Sequence, residues 1–156
     1  MSTYRPRRSV LYMPAANQRA LEKAKDIPAD ALIFDLEDAV APDAKELARE
    51  QACNAAASSD YGNRELTIRC NGLDTPWGRE DILAAAEAAP SAVVIPKVDG
   101  PEYLAEVSEV LDEGGAPAAT EIWAMVETPA GILCVDQIAQ FERTAVLVMG
   151  TNDMAK

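Results

Sequence analysis

Two acidic residues that each follow an apolar segment are the best candidates in this sequence for metal chemistry. Glu127 comes directly after the apolar segment 121–126, and Asp153 comes shortly after 145–149. If these segments are neighbouring strands they lie about 4.8 Å apart, so the two carboxylates can hold one cation. Oxygen ligands without His or Cys suit Mg²⁺, and Mn²⁺ could replace it. The alternative is structural: Glu127 caps the next helix and Asp153 pairs with Lys156.

The turn before Asp153 is a candidate substrate contact. It consists of Gly150, Thr151 and Asn152, and the glycine allows the backbone to approach a ligand closely. We therefore expect these three residues to bind substrate beside the metal.

Arg69 is the candidate for binding or stabilising an anion. It lies near the end of the apolar segment 65–70, where a guanidinium can bind a carboxylate through two hydrogen bonds or stabilise an oxyanion. The structural alternative is a salt bridge to Asp35, Glu37 or Asp38 on a neighbouring segment. Both roles are compatible, because carboxylates that orient an arginine also hold it in place for a substrate.

Lys97 follows another apolar segment and could form a Schiff base with a carbonyl substrate. That chemistry requires a lowered pKa, and a cluster of acidic groups raises the pKa of a lysine instead. We therefore expect Lys97, like Asp35, Glu37 and Asp38, to support the site rather than to react.

The composition excludes several classes of function. The 156 residues include no histidine, which rules out Ser-His and Cys-His nucleophile pairs and histidine metal ligands. A net charge of -12 argues against nucleic-acid binding. No apolar run approaches the roughly 20 residues that span a bilayer, and no secretory signal is recognisable, so we expect no membrane partner and a cytoplasmic location. Three cysteines outside any CxxC pair indicate neither a disulfide framework nor a zinc site.

Positive charge is concentrated near the amino terminus. Residues 1–25 contain six basic residues and one acidic residue. Such a cluster can attract a small polyanion, or it can be a solvated tail.

Six short apolar segments predict six strands. Most are apolar along their whole length, as expected for strands of a parallel sheet that is covered on both faces. Ala- and Glu-rich helical segments lie between them, and in the segment 43–57 Leu47 is predicted to be buried and Lys45 exposed. The strands are predicted at 9–13, 31–35, 65–70, 92–96, 121–126 and 145–149.

Helix starts and stops are indicated by proline, threonine and glycine. Proline suits the first helical position, where its missing N–H is not needed. Thr75 and Thr128 are plausible N-caps, and Gly114-Gly115 is expected to end a helix. The prolines at expected helix starts are Pro42, Pro76, Pro101 and Pro129.

Strict alternation of strands and helices permits either an open doubly wound sheet or a (β/α)8 barrel. The motifs GxGxxG and GxxxxGK[ST] are absent, and polar residues follow nearly every strand, as at the active face of a barrel. We therefore predict an α/β fold, a TIM (β/α)8 barrel truncated here to about six βα units. Residues 1–156 are expected to form one domain, incomplete at the C-terminus, because a closed barrel needs eight strands and about 250 residues.

Six ordered blocks of the sequence resemble the HpcH/HpaI aldolase and citrate lyase β-subunit family, which includes malyl-CoA and citryl-CoA lyases. The blocks are RRSVLYMP at 7–14, DLEDAV at 35–40, RCNG at 69–72, IPKV at 95–98, WAMVETP at 123–129 and MGTND at 149–153. The resemblance covers the whole chain. It implies a TIM barrel in a homo-oligomer, a trimer or a hexamer, with Mg²⁺ at Glu127 and Asp153 and substrate at Arg69.

The resemblance also implies a reaction. A Mg²⁺-dependent carbon-carbon lyase would cleave a hydroxyacyl-CoA thioester, of the malyl-CoA or citryl-CoA type, to an α-oxo acid and an acyl-CoA by retro-Claisen chemistry. Arg7, Arg8, Arg19 and Lys25 then become candidates for binding the CoA phosphates. In relatives, a further C-terminal region supplies part of the CoA pocket and a carboxylate suited to proton transfer. No general acid or base is assigned here, and we expect the 156-residue chain alone to bind a divalent cation but to be a weak or inactive enzyme.

Two other functions stay open. A malyl-CoA thioesterase on the same scaffold would release free malate instead of an oxo acid. A non-catalytic barrel fragment with a binding or assembly role would show no metal-dependent binding of an oxo acid.

Overall fold

The computed structural model describes residues 5–154, in which parallel strands alternate with helices. The strands are β1 (Val10–Pro14), β2 (Ala31–Asp35), β3 (Glu65–Arg69), β4 (Ala92–Ile95), β5 (Glu121–Val126) and β6 (Thr144–Met149). The helices are α1 (Gln18–Ala24), α2 (Lys45–Ala57), α3 (Gly78–Ala88), α4 (Pro101–Glu113), α5 (Pro129–Leu133), α6 (Val135–Gln140) and α7 (Thr151–Met154). A single 3-10 turn, Pro42–Ala44, leads into α2.

The strands lie in the sheet in the order in which they occur in the chain. Every neighbouring pair from β1 to β6 is parallel. A parallel sheet in sequential strand order is the winding of a TIM barrel, in which right-handed crossovers place the helices on one face. A doubly wound sheet reverses its strand order and has helices on both faces. The predicted α/β fold of barrel type is confirmed for these strands, whereas the extent of the domain stays a prediction.

Two clusters of buried apolar side chains occupy the two faces of the sheet. The larger cluster packs β-strand residues such as Phe34 against helix residues such as Leu104. The smaller cluster consists of strand residues, and Ile33 belongs to it. Because successive strand residues point to opposite faces, each central strand is buried on both sides. This explains why the segments are apolar along their whole length.

The strand register brings polar side chains together at one end of the sheet. Asp35, the last residue of β2, is the partner of Arg69, the last residue of β3. Lys97 and Glu127 follow shortly after the ends of β4 and β5. All four residues therefore lie at the carboxyl ends of parallel strands, where barrel enzymes have their active sites.

The predicted strands are confirmed, with bounds that differ by at most one residue. Pro101 and Pro129 begin helices, and Thr128 caps α5 by accepting a hydrogen bond from the Gly131 N–H at 3.0 Å. The prediction for Pro76 is wrong, because α3 begins at Gly78.

The other predicted helix starts and ends are confirmed in part. Thr75 donates to the Gly72 carbonyl instead of capping a helix. Pro42 begins the 3-10 turn before α2, and Gly114-Gly115 ends α4 with Gly115 at a φ of 74°. The local rules for proline and glycine therefore hold at most of the positions where they were applied.

The predicted orientation of α2 is wrong at two residues. Lys45 is buried, whereas Leu47 is 51% exposed. The physical reason is that the Lys45 ammonium group finds three acceptors inside the protein, at the Leu36 and Glu37 carbonyls and at Asn71 Oδ1. A buried cation with a full set of hydrogen bonds outweighs the simple apolar pattern.

Two further properties concern residues 5–154. No helix in this range has both the length and the apolar character needed to cross a membrane. Cys53, Cys70 and Cys134 are free thiols, and burial raises the pKa of Cys53 to about 11. Burial raises the pKa of Cys70 as well, so Cys53 and Cys70 are not activated as nucleophiles.

Candidate active site

Arg69 on β3 and Asp35 on β2 form a buried, bidentate ion pair. Arg69 Nε donates to Asp35 Oδ1 at 2.7 Å, and Nη2 donates to Oδ2 at 2.6 Å. The guanidinium also lies over the ring of Tyr12, with its Cζ 5.1 Å from the ring centroid. Burial disfavours the charge, but the hydrogen bonds to Asp35 and the charge of Glu37 outweigh it, so the pKa of Arg69 is raised. Arg69 is therefore a fixed, permanent cation.

Glu37 lies between Arg69 and Lys97. Its Oε1 accepts a hydrogen bond from Lys97 Nζ at 2.9 Å. Its Oε2 is 2.9 Å from Arg69 Nη1 but accepts no hydrogen bond within residues 5–154, so that contact is an ion pair without hydrogen-bond geometry. Asp38 is more distant, at 3.7 Å from Nη1. The structure thus confirms the predicted salt bridges of Arg69.

Lys97 is held as a cation by the same arrangement. The hydrogen bond to Glu37 raises the pKa of Lys97, against the opposing effect of burial. A Schiff base requires a neutral amine, so the geometry favours the supporting role for Lys97.

Glu127 is a buried carboxylate beyond the end of β5, only 3% exposed. Its Oε1 accepts the backbone N–H of Lys97 at 2.8 Å. Burial raises the pKa of Glu127, the Lys97 N–H lowers it, and the charges of Glu37 and Asp153 raise it further. The structural alternative, that Glu127 caps the next helix, is wrong, because Thr128 is the cap of α5.

The turn after β6 brings Gly150 and Asp153 to Glu127. The Gly150 N–H donates to the Val126 carbonyl at 3.1 Å, which joins the ends of β5 and β6. A Cβ on Gly150 would overlap the Glu127 side chain, so only glycine permits this approach. Lys156, the alternative partner of Asp153, lies outside the described residues.

The predicted reactive side chains share one cavity of about 540 Å³ at the carboxyl ends of the strands. Arg69 and Glu127 form part of its wall, and the turn from Gly150 to Asp153 forms another part. The complete lining is Tyr12, Asp38, Ala39, Arg69, Met125, Glu127, Met149, Gly150, Thr151, Asn152 and Asp153. We call this space the site cavity.

The donor set of the site cavity fits a hard divalent cation. Glu127 and Asp153 both line it, and the charge of Asp153 contributes to the raised pKa of Glu127, so the two carboxylates repel each other. A cation between them would remove that repulsion. Within residues 5–154, no group of three or more His, Cys, Asp or Glu side chains is arranged to hold a metal. Two carboxylates with water and substrate in the other positions suit Mg²⁺.

Arg7 and Arg8 lie at the opposite end of the strands, which corrects their predicted role at the CoA phosphates. Arg7 donates two hydrogen bonds of 2.7 Å to Glu65, the first residue of β3, and lies over the Trp123 ring. Arg8 pairs with Asp30, just before β2. Clustering of charge in the sequence could not reveal that β1 separates these residues from the site cavity.

Lys25 and Arg19 belong to α1 and differ in position. Lys25 follows the end of α1 and pairs with Glu22 and Asp60, so it too lies on the amino-terminal side of the sheet. Arg19 lies in the first turn of α1, on the active face, and is exposed. Arg19 thus differs from the other three predicted basic residues, because it lies just after the carboxyl end of β1.

Two residues of the site were missed by the sequence analysis. Tyr12 lines the site cavity and stacks on Arg69. Lys45 supports the loop after β2 through its bonds to the Leu36 and Glu37 carbonyls. A usable signal for Lys45 was its place at the start of α2, where the helix dipole disfavours a cation unless another contact holds it.

The geometry agrees with the result of a comparison with protein families. The family described as HpcH/HpaI aldolase/citrate lyase matches residues 8–156. The chain belongs to this family. The match to the HpcH/HpaI family covers nearly the whole chain and includes Glu127 and Asp153.

Two curated relatives of this HpcH/HpaI chain have different named activities. The (3S)-malyl-CoA thioesterase of Cereibacter sphaeroides strain KD131 is 47% identical over 151 residues, which is 97% of this chain and 51% of that protein. The citrate lyase subunit beta of Escherichia coli K12 is 33% identical over 158 residues, which is 97% of this chain and 52% of that protein. The chain spans about half the length of the curated relatives it matches.

A solved structure of the same family has a similar fold and bound ligands. Protein CitE from Mycobacterium tuberculosis, in complex with magnesium, acetoacetate and coenzyme A, has a TM-score of 0.74 and 27% sequence identity. The match covers 96% of this chain and 51% of that chain.

Proposed function

We propose that this chain supplies the metal- and oxo-acid-binding part of the active site of a CoA-ester enzyme. The proposed reaction is Mg²⁺-dependent cleavage of a hydroxyacyl-CoA thioester, of the malyl-CoA or citryl-CoA type, to an α-oxo acid and an acyl-CoA. The observation that carries this proposal is that Glu127, Asp153 and Arg69 line one cavity. The magnesium, acetoacetate and coenzyme A bound to CitE, and the name of the citrate lyase subunit, support it.

The residues of the chain have distinct tasks in this proposal. Glu127 and Asp153 would hold the ion, which when bound supplies Lewis-acid polarisation of substrate oxygen atoms. Arg69 stabilises negative charge on the oxo acid. Its hydrogen bonds to Asp35 fix the guanidinium in place, so the guanidinium does not have to reorient during the reaction. The turn at Gly150, Thr151 and Asn152 closes one side of the cavity around the substrate.

The proposed cleavage conserves atoms and charge. The carbinol hydroxyl loses its proton, and the bond between the carbinol carbon and the α-carbon of the thioester breaks. The electron pair passes to the α-carbon, which takes up a proton to give the acyl-CoA. Arg69 lies in the cavity as the cation that stabilises the oxygen from which the first proton leaves. No described residue is assigned to either proton transfer.

A second candidate function is hydrolysis of the thioester. It is favoured by the 47% identical relative, which is named a (3S)-malyl-CoA thioesterase. In that reaction water attacks the thioester carbonyl, the C–S bond breaks, and CoA leaves as the thiol with a proton from water. The products are CoA and the free hydroxy acid, so the two reactions are distinguished by their products.

Calorimetric titration of the chain with Mg²⁺ tests the metal site. We expect saturable binding by the wild type and no detectable binding by Glu127→Gln or Asp153→Asn. Glu109→Gln is the matched control, because Glu109 is an exposed residue of α4. Loss of binding in the control, or unchanged binding in both site variants, would refute the assignment of ligands.

Product analysis with malyl-CoA distinguishes the reactions. Formation of an oxo acid supports the lyase, and formation of free malate supports the thioesterase. Absence of Mg²⁺-dependent binding of an oxo acid would instead favour a binding or assembly role for the chain.

The proposal also includes a residue that binds CoA, the oligomeric state, the location and the identity of the metal. Arg19 is the residue we place at the CoA phosphates, because it is exposed in the first turn of α1. A homo-oligomer, a trimer or a hexamer, and a cytoplasmic location stay predictions. Replacement of Mg²⁺ by Mn²⁺ also stays a prediction, and the same titration with Mn²⁺ measures it.

A further inference from the structure

The backbone at Lys97 has an unusual conformation. Its φ is 51°, in the left-handed region that an L-residue with a side chain rarely adopts. The other non-glycine residue of this kind within residues 5–154 is Ala89, which ends α3 and has the usual geometry of a helix C-cap. Lys97 ends no helix. Strained backbone of this kind persists at functional sites, where the surrounding contacts require it.

The left-handed conformation directs Lys97 toward two different strand ends. Its backbone N–H donates to Glu127 Oε1 at 2.8 Å, beyond β5. The next N–H, that of Val98, donates to the Met125 carbonyl at 3.1 Å and holds the loop on β5. Its side chain turns the other way, and Nζ donates to Glu37 Oε1 at 2.9 Å, beyond β2.

Glu37 is oriented so that it accepts a hydrogen bond from Lys97 and none from Arg69. Lys97 supplies the hydrogen bond to Glu37 Oε1, whereas Oε2 stays near Arg69 Nη1 without the geometry of a hydrogen bond. Arg69 has five N–H donors. Two of them donate hydrogen bonds of good geometry to Asp35. The ion pair with Glu37 therefore orients the guanidinium without consuming its Nη1 donors.

The Glu37–Lys97 pair does not line the site cavity. Both residues line a second cavity of about 400 Å³, with Tyr103 and Thr128, whereas Arg69 and Glu127 line the site cavity. The Lys97 side chain is 53% exposed, whereas its partner Glu37 is buried. Because one member of the ion pair is in solvent, its contribution to stability is reduced, and a structural role alone accounts poorly for the strain at Lys97.

We propose that Lys97 is a positioning residue with two separable arms, a proposal that rests on the proposed function of the site cavity. The backbone N–H fixes the metal ligand Glu127. The ammonium group fixes the orientation of Glu37, in which Oε2 lies 2.9 Å from Arg69 Nη1 without hydrogen-bond geometry, so that Arg69 keeps donors for the carboxylate or carbonyl of an α-oxo acid. Lys97 itself touches neither metal nor substrate.

The ammonium arm is tested with Lys97→Met, which keeps the backbone N–H and most of the side-chain volume. We expect Mg²⁺ affinity to change by less than about twofold, and affinity for glyoxylate in the presence of Mg²⁺ to fall about tenfold, as for other supporting residues of metal sites. Lys97→Arg should restore the oxo-acid affinity. The double variant Lys97→Met/Glu37→Gln should restore it in part, because a neutral residue 37 competes less for Arg69. Equal losses of Mg²⁺ and glyoxylate affinity, or no rescue, would overturn the proposal.

A second measurement does not depend on ligand binding. Hydrogen exchange at the Arg69 Nη groups, followed by NMR in the metal-free protein, should become slower in Lys97→Met, because Glu37 is then free to hydrogen-bond to Arg69. It should return to the wild-type rate in Lys97→Arg and stay unchanged in Lys23→Met, an exposed control. If the wild type binds neither Mg²⁺ nor glyoxylate, the proposed function fails, and the exchange rate still decides the role of Lys97. An unchanged or faster rate in Lys97→Met would refute that role.

The strain at the backbone is tested by Lys97→Gly. Glycine adopts positive φ without penalty, and both Lys97→Gly and Lys97→Met lack the ammonium group. We expect a higher urea midpoint for Lys97→Gly than for Lys97→Met, with the same Mg²⁺ affinity. A lower midpoint for the glycine variant, or loss of Mg²⁺ binding, would contradict the assignment of the backbone arm.

Discussion

The carboxyl ends of β2, β3 and β5 and the carboxyl end of β6 line the same cavity but are built differently. Asp35, Glu37, Arg69 and Glu127 are all buried and are held by contacts within the protein. The end of β6 is open, and Met149 is 55% exposed. Charged groups that are buried and paired affect folding as well as function. At the end of β6, exposed residues such as Thr151 and Asn152 can affect function with little effect on folding.

Removing the charge of Asp35 should have the largest effect on stability. Asp35→Asn leaves the buried Arg69 without its main partner, so we expect the free energy of unfolding to fall by about 3 to 5 kcal/mol. The contrasting change at the open end, Asn152→Ala, should alter it by no more than about 0.5 kcal/mol, because Asn152 is exposed. Urea denaturation without metal measures both. Similar losses for the two variants would remove the distinction between the regions.

Lys45→Met tests the polar support beneath the loop after β2. It leaves the Leu36 carbonyl, the Glu37 carbonyl and Asn71 Oδ1 without their common donor. The Leu36 carbonyl still accepts from Asn71 Nδ2, and the Glu37 carbonyl still accepts from the Val40 N–H, so Asn71 Oδ1 alone loses its donor. We expect a loss of about 1 to 3 kcal/mol in the free energy of unfolding, since a buried acceptor without a partner is costly. Lys23→Met, on the exposed side of α1, is the control and should match the wild type. A stable Lys45→Met variant would show that the network is dispensable.

Glu127→Gln should make the metal-free protein more stable at neutral pH while abolishing Mg²⁺ binding. Burial raises the pKa of Glu127, so the wild type has its full stability below the ordinary pKa of a glutamate and loses part of it as the pH rises through the raised value. The neutral glutamine has no such loss. Urea midpoints in EDTA from about pH 4 to pH 7 should therefore diverge as the pH increases. Excess Mg²⁺ should raise the midpoint of the wild type alone. Parallel curves would contradict the raised pKa.

The smallest effect is expected at the outer edge of β6. Leu147 is 41% exposed, so Leu147→Ser should change the free energy of unfolding by no more than about 0.5 kcal/mol. The same change at Leu32, which is fully buried in β2, should cost several times as much. Thermal or urea unfolding of the two variants provides the comparison. A large loss at Leu147 would mean that the edge of β6 is as constrained as the centre of the sheet.

Much of the fold was predictable because its signals are local. Apolar runs located all six strands to within a residue, and proline and glycine marked most helix ends. The same local pattern placed Glu127 and Arg69 at strand ends, where barrel topology brings side chains together. Lys45 was one exception, because its burial depends on carbonyl groups and an amide supplied by other loops.

The candidate site was predictable in part for the same reason. Arg69, Glu127 and Asp153 line one cavity, as their strand-end positions suggested. Arg7 and Arg8 did not join them, because charge density along a sequence does not specify which end of a strand faces a ligand. Tyr12 was missed because its stacking on Arg69 depends on the pairing of three strands.

The sequence by itself determined the alternation of strands and helices, the absence of histidine chemistry and the family. These properties depend on residue type and on spacing over a few positions. The tertiary structure alone decided that Glu37 stands between Arg69 and Lys97, and that the Lys97 backbone turns left-handed to reach Glu127. Those features arise from strand register and from contacts between distant residues, which no local pattern encodes.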